Sequence, residues 1–128
     1  IKRFLKPRSS ALVQVITMHD DYFKTYNVDP DFIQTYIFPG GELISDEEFF
    51  NCASNISLEC KKVRSFGDSY AKTLELWNEQ FQKRWVSVKE LGFDIKFKRT
   101  WEMYYAYCIG GFLSDRLDVT QFKLTCND

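Results

Sequence analysis

The sequence predicts an α/β fold, and three observations carry that reading. Strand-like segments alternate along the chain with segments of helical period. The uncharged, β-branched run Ala11–Met18 has the composition of a strand covered on both faces, as in a parallel sheet. Two long stretches, 67–91 and 94–112, repeat apolar residues at steps of three and four. The 128 residues suit one domain, or part of a larger one.

Ile1–Leu5 reads as the last turns of a helix, stopped by Lys6-Pro7 because proline disfavours the helical region for the residue before it. The chain starts at isoleucine, and the expectation is a piece of a longer protein. After a turn at Ser9-Ser10 comes the strand over 11–18. The polar and aromatic segment His19–Asn27 reads as a loop. Asp29-Pro30 resembles an N-cap with proline in the first helical position, opening a short helix through Phe32, Ile33, Tyr36 and Ile37. Phe38-Pro39-Gly40-Gly41 ends it in a tight turn. Ser45, with Glu48 three residues on, marks a second helix carrying Phe49, Phe50 and Ala53.

Ser57–Phe66 alternates, with Leu58, Cys60, Val63 and Phe66 inward, as in a half-buried strand. Gly67-Asp68-Ser69 opens the longest helix. Its stripe is Tyr70, Leu74, Trp77, Phe81, Trp85 and Val88, closed by Leu91-Gly92. Asp94 starts another, with Phe97, Trp101, Tyr104, Tyr105, Cys108, Ile109 and Phe112. Gly110-Gly111 inside it costs roughly 2 kcal/mol against alanine, so the pair implies a close contact. Asp118–Cys126 is a final strand. Three strands are few for a free-standing sheet.

Seventeen basic and eighteen acidic side chains leave a net charge of −1, without the basic excess that a nucleic-acid partner requires. Hydrophobic residues make up 45%, too many for a disordered chain. No run approaches the roughly 20 apolar residues of a membrane span, and no segment reads as a signal peptide. Cys52, Cys60, Cys108 and Cys126 form no CxxC pattern and read as reduced, mostly buried thiols of a cytosolic protein. With His19 as the single histidine, zinc is not expected. His19-Asp20-Asp21 reads as a solvated loop before it reads as a metal or acid/base cluster. None of the six glycines forms a phosphate or dinucleotide loop. Twelve Phe, seven Tyr and three Trp read either as a core or as a pocket for a long apolar ligand with Tyr hydroxyls as polar handles.

Several stretches carry a resemblance. They are Leu5-Lys6-Pro7 before Leu12–Thr17, Asp31–Gly41 ending in Tyr-Ile-Phe-Pro-Gly-Gly, and Gly67–Trp77 with its Tyr-x-x-Thr-Leu-x-x-Trp string. Leu91–Asp94, Arg99–Cys108 and Gly110-Gly111-Phe112 follow in the same order. Together they resemble the C-terminal half of the cyclopropane-fatty-acyl-phospholipid synthase family, S-adenosylmethionine-dependent methyltransferases of class I that resemble the mycolic-acid cyclopropane synthases. The version here is most similar to the plant-like, eukaryotic branch.

The resemblance implies that residues 1–128 are the C-terminal fragment of one methyltransferase domain. The fold would be part of a Rossmann-like sheet with a helical lipid-binding insertion, and S-adenosylmethionine would bind in the absent N-terminal half. In the family a methyl group passes to a cis double bond of a phospholipid acyl chain. The carbocation so formed loses a proton to bicarbonate and closes to a cyclopropane, which needs a dry site and a positioned base. Tyr70 falls on the family's bicarbonate-binding tyrosine, and Ile16 on the isoleucine whose backbone contacts the same ion. Gln14 stands where bacterial members carry a histidine. Glutamine still donates a hydrogen bond but cannot ionise, a departure that weakens transfer of the bacterial mechanism. Phe38, Trp77, Phe81, Trp101, Tyr105 and Phe112 are the candidate acyl-pocket residues, with core packing as the alternative.

The expected setting is cytoplasmic and peripheral at a membrane, with phospholipid acyl chains as partner and no metal. Two classes compete. One is an enzyme part, inactive alone, with small-molecule N-methylation as a variant. The other is a non-catalytic lipid- or partner-binding module.

Overall fold

The computed structural model describes residues 1–26 and 30–127. The expected cap at Asp29 lies outside them. In chain order the elements are a 3-10 turn (Lys2–Phe4), β1 (Ser10–Met18), α1 (Asp20–Tyr26), α2 (Phe32–Tyr36), β2 (Ile44–Ser45) and α3 (Asp46–Asn55). They continue with β3 (Glu59–Ser65), α4 (Gly67–Lys83), α5 (Trp85–Glu90), α6 (Ile95–Leu113) and β4 (Leu117–Thr125). The sheet order is β2-β1-β4-β3. β1 runs antiparallel to β4 along its whole length and parallel to β2 only at Thr17 and Met18. β3 is antiparallel to β4.

Four expectations need correction, three concerning single elements and one the burial of β1. The segment after β1 is a helix where a loop was expected. Asp20 and Asp21 in its first turn and Lys24 in its last complement the helix dipole. The long helix is two, divided at Arg84, although the Phe81 and Trp85 rings still touch across the break at 5.8 Å. Val63 points outward: it lies three residues from Cys60, out of step with the alternation of β3, and it sits at the register shift between Lys62 and Arg64.

The caps at Ser45 and Asp94 follow the sequence, whereas the cap of α2 falls on Asp31 and not on Asp29. Ser45 Oγ accepts from Glu48 N at 3.2 Å, and Asp94 Oδ1 from Phe97 N at 2.8 Å. α2 is capped by Asp31, whose carboxylate accepts from Gln34 N (2.9 Å) while Gln34 Oε1 accepts from Asp31 N (3.0 Å), a reciprocal box. Gly40 and Gly92 both have positive φ, as the turns after α2 and α5 require.

Side chains of β1 and β4 alternate between two layers. Val13, Phe122 and Leu124 meet α3, where Phe49 stacks on Phe122 at 4.1 Å and Ala53 and Leu58 complete a cluster. On the other face Val119 meets Ala71 and Leu74 of α4 and Tyr105 and Phe112 of α6. Gly111 lets α6 approach Leu117. β1 was expected to be covered on both faces, yet Leu12 and Ile16 are 62% and 42% exposed. The reason is positional. Among the described residues no strand flanks Ser10–Ile16 on the side away from β4, and the helices of that face reach only the β4 side.

Candidate functional site

At the carboxyl end of β1 lies a cleft of about 520 Å³. In open α/β sheets this end of the strands is where ligands sit. Thr17 to Asp20 form one wall, and the end of β3, the start of β4 and the first turn of α4 form the others. A polar network runs through it. Lys62 Nζ bonds Asp46 Oδ2 and lies 3.9 Å from Asp118 Oδ2. Asp118 Oδ1 accepts from both Gly67 N (2.9 Å) and Val119 N (2.7 Å). Asp20 Oδ1 accepts from Glu47 N at 3.1 Å. A hydrogen bond from Ser45, more than any other influence, holds the Asp20 carboxyl below its ordinary range.

The three candidate base-site residues share one face of the sheet. Ile16 pairs in register with Val119, and Gln14 with Gln121, whose Nε2 donates to Gln14 Oε1 at 3.0 Å. Tyr70, half-buried in the first turn of α4, packs against the cluster that contains Val119. Its ring lies between Phe66 (6.2 Å) and Phe112 (5.7 Å). Backbone direction adds one donor. His19 N donates to Arg116 O, and Val119 O is turned outward to accept from Phe66 N. The alternation of antiparallel pairing then makes Ile16–Val119 a non-hydrogen-bonded pair, so the Ile16 N–H points to the edge away from β4.

Of the six pocket candidates, Phe112 lines the cleft and the other five do not. Tyr105 and Phe112 are buried core residues. Trp101, Tyr105, Phe81 and Trp85 form a continuous run of ring contacts, with centroids 5.8 to 6.0 Å apart. Phe38 is 56% exposed and meets Tyr104 edge-on at 6.4 Å. Trp77 is 52% exposed and stands apart from the packed cluster.

A second polar group escaped the sequence reading. Tyr107 donates to Asp31 Oδ2 at 3.0 Å, pinning the cap of α2 to α6, and the Phe32 and Tyr107 rings lie 6.1 Å apart. Burial, then the bond to Asp31, pushes the Tyr107 hydroxyl up to about 12. Burial likewise pushes the Cys108 thiol to about 11. The four cysteines are free thiols, but against the expectation of mostly buried ones only Cys126 is buried, with Cys60 and Cys108 partly buried and Cys52 exposed. His19 Nδ1 accepts from Asp21 N at 3.3 Å, and among the described residues no His, Cys, Asp or Glu group is arranged to hold a metal.

Two groups implied by the resemblance can be tested against these residues. The Tyr70 hydroxyl, the Ile16 N–H and the Gln14 Nε2 are donors of the kind a small oxyanion takes, but none of the three residues lines the cleft. A nucleotide cofactor does not fit this chain by itself. Gly67 is the one glycine at a strand-to-helix turn, and the Asp118 carboxylate already occupies its N–H.

A family model described as mycolic acid cyclopropane synthetase matches residues 1–122. Tuberculostearic acid methyltransferase UfaA1 of Mycobacterium tuberculosis (strain ATCC 25618 / H37Rv) is 36% identical over 125 residues, covering 97% of this chain and 29% of its own length. Cyclopropane mycolic acid synthase 1 of Mycobacterium tuberculosis (strain ATCC 25177 / H37Ra) is 36% identical over 98 residues, 74% of this chain and 32% of its own length. The solved structure of mycolic acid cyclopropane synthase CmaA1 superposes with a TM-score of 0.85 at 28% identity, covering 97% of this chain and 46% of that one. The chain spans less than a third of these curated relatives and under half of the solved chain. Matched in sequence from residue 1 to 122 and in fold along nearly its whole length, the chain belongs to the mycolic acid cyclopropane synthetase family.

Proposed function

We propose that this chain is the C-terminal part of a lipid methyltransferase that adds one carbon from S-adenosylmethionine to the cis double bond of a phospholipid acyl chain. The observation that supports it best is the shared face of Tyr70, Ile16 and Gln14 within a fold like that of CmaA1. That relative was solved with SAH and CTAB, which supports S-adenosylmethionine as the methyl donor, held by residues outside this chain. When bound, the donor supplies an electrophilic methyl group. The chain's own contribution is narrower. Tyr70, Ile16 and Gln14 hold bicarbonate, the proton acceptor. Phe112, the one aromatic candidate that lines the cleft, meets the acyl chain there, while Tyr105 packs beneath it in the core.

Peripheral contact with a membrane, on its cytoplasmic side, belongs to the same reading. Among the described residues no helix is long and apolar enough to cross a membrane. The turn between α5 and α6 supports the contact: Val86, Leu91, Phe93 and Ile95 are exposed, with exposed Arg84, Lys89, Lys96 and Arg99 around them.

The test uses the whole protein, S-adenosylmethionine with a labelled methyl group, and vesicles of phospholipid bearing cis-monounsaturated chains. The expected product is a fatty acid heavier by one CH2 with its alkene gone. Tyr70→Phe should lower turnover by roughly 10²-fold or more, the scale of a displaced base. Unchanged turnover removes Tyr70 from the base site. Methylation of a small amine with no change in any lipid would replace the lipid reading by the N-methyltransferase variant.

A further inference from the structure

We propose that Asp118 is a positioning residue for Tyr70, acting through the first turn of α4. This rests on the reading that Tyr70 holds the base.

α4 begins without a cap of its own. Its N-cap residue is Phe66, which has no side-chain acceptor to offer. The acceptor comes instead from another element. Asp118, next to the start of β4, places one oxygen 2.9 Å from Gly67 N and 2.7 Å from its neighbour's Val119 N. The chain is clamped a second time when Phe66 N donates to Val119 O at 3.1 Å. The approach is so close that a Cβ on Gly67 would stand 3.1 Å from Asp118 Oδ1 and 3.3 Å from both Asp118 Cα and Leu117 O. A side chain on Gly67 would press the carboxylate and the β4 backbone back by a few tenths of an ångström. The negative charge also meets the positive end of the helix dipole.

Beyond this turn α4 is held by packing, with Ala71 and Leu74 buried against Val119 and α6. The clamp is therefore not what makes α4 a helix. Its influence is local to the turn of Gly67–Tyr70, whose last member carries the hydroxyl. The carboxylate is itself held in place. Asp118 Oδ2 lies 3.9 Å from Lys62 Nζ, which is bonded to Asp46 at the start of α3. Elements from both sides of the sheet thus fix where the Tyr70 ring stands.

The experiment measures turnover of the whole protein against bicarbonate concentration and, separately, against lipid concentration, for wild type, Asp118→Ala and Asp118→Asn. Asp118→Ala should raise the bicarbonate concentration for half-maximal rate about tenfold, equivalent to about 1.4 kcal/mol, and leave the lipid dependence unchanged. Asp118→Asn keeps an acceptor oxygen and should restore most of the loss. Binding of labelled bicarbonate, followed by NMR without turnover, should move in step. If Asp118→Ala does not fold, Lys62→Met, which frees the carboxylate without removing it, should give a smaller shift in the same direction.

A bicarbonate-dependent wild type with an unmoved bicarbonate requirement in these variants overturns the proposal alone. So does an equal loss in bicarbonate and lipid dependence, which marks a merely structural role. A wild type indifferent to bicarbonate overturns the proposal and the reading beneath it together.

Discussion

Adjacent glycines in α6 should respond differently to the same substitution. At Gly110 a Cβ would meet nothing within 4 Å. Alanine there recovers about 1 kcal/mol of helix propensity, somewhat less this near the helix end. At Gly111 the Cβ would stand 2.8 Å from Leu117 Cδ1 and 3.2 Å from its Cγ. Carbon atoms rest at about 3.5–4.0 Å, so Leu117 must retreat by nearly 1 Å. A terminal methyl alone could rotate away. Here Cγ is engaged too, and Leu117 packs against the cluster of Ala71, Leu74 and Phe112. Overpacking of this kind costs about 1–3 kcal/mol, which exceeds or cancels the propensity gain. Gly111→Ala should therefore range from neutral to about 2 kcal/mol destabilising, and the two variants should differ by about 1–3 kcal/mol. Urea midpoints and thermal midpoints of the whole protein measure this. Gly111→Ala stabilising as much as Gly110→Ala would show that Leu117 is not locked by its neighbours, and the packing argument would fail.

Alkali should weaken the α2–α6 contact. Cys108 and Tyr107 are neutral acids whose folded values are raised to about 11 and about 12, from ordinary values of 9.0 and 10.0. Unfolded, they ionise first, so the native state holds more protons and stability falls as pH rises. The contribution is intact below about pH 9, falls between about pH 9 and 12, and levels off beyond. Urea midpoints that hold steady or rise across that window would contradict it. At about pH 8 the exposed Cys52 should be alkylated well before Cys108, whose thiolate is suppressed. At the membrane, replacing Leu91 and Phe93 together by serine should weaken pelleting of the whole protein with anionic phospholipid vesicles by about tenfold or more, since two apolar side chains no longer leave water. Binding equal to wild type would exclude the α5–α6 turn as the contact.

Local signals were readable wherever a single residue type decides the backbone. Ser45, Asp94, Gly40 and Gly92 each do what their side chains or φ angles dictate, because caps and turns are short-range. The Gly110-Gly111 pair implied a close contact, but the partner, Leu117, could be found only once β4 was folded back. What the residues concealed is mostly long-range. Two residues of β2 carry no period, so a parallel edge against Thr17 and Met18 leaves no pattern. Val63 stands three residues from Cys60, out of step with the alternation of β3, and only pairing with β4 shows the register shift at that point. Asp118 looks like a strand-edge carboxylate until Gly67, 51 positions earlier, is brought to it. The aromatic residues stay divided for a related reason: ring stacking builds a core and a lipid path from the same contacts. Tyr105 and Phe112 are core by burial, whereas Phe38 and Trp77 are exposed.

Gln14 narrows how the proposed chemistry would run in this chain. Its Oε1 is engaged by Gln121 Nε2, which leaves the Gln14 Nε2 as a donor. A donor of that kind, with the Ile16 N–H and the Tyr70 hydroxyl, orients an oxyanion but takes no proton from it. A histidine at the same position would exchange a proton near neutral pH and share the work of the base. With glutamine, the acceptor must be the bound ion itself, and the pH dependence of the chemical step should follow the ion and not a side chain of β1. Bicarbonate and carbonate differ by one proton. A fixed set of neutral donors tolerates either, whereas an imidazole alternates between welcoming and repelling a charge. On the proposed reading, the substitution therefore changes which partner carries the proton and leaves intact the geometry that holds it. On that reading the face formed by Gln14, Ile16 and Tyr70 needs no ionisable group of its own.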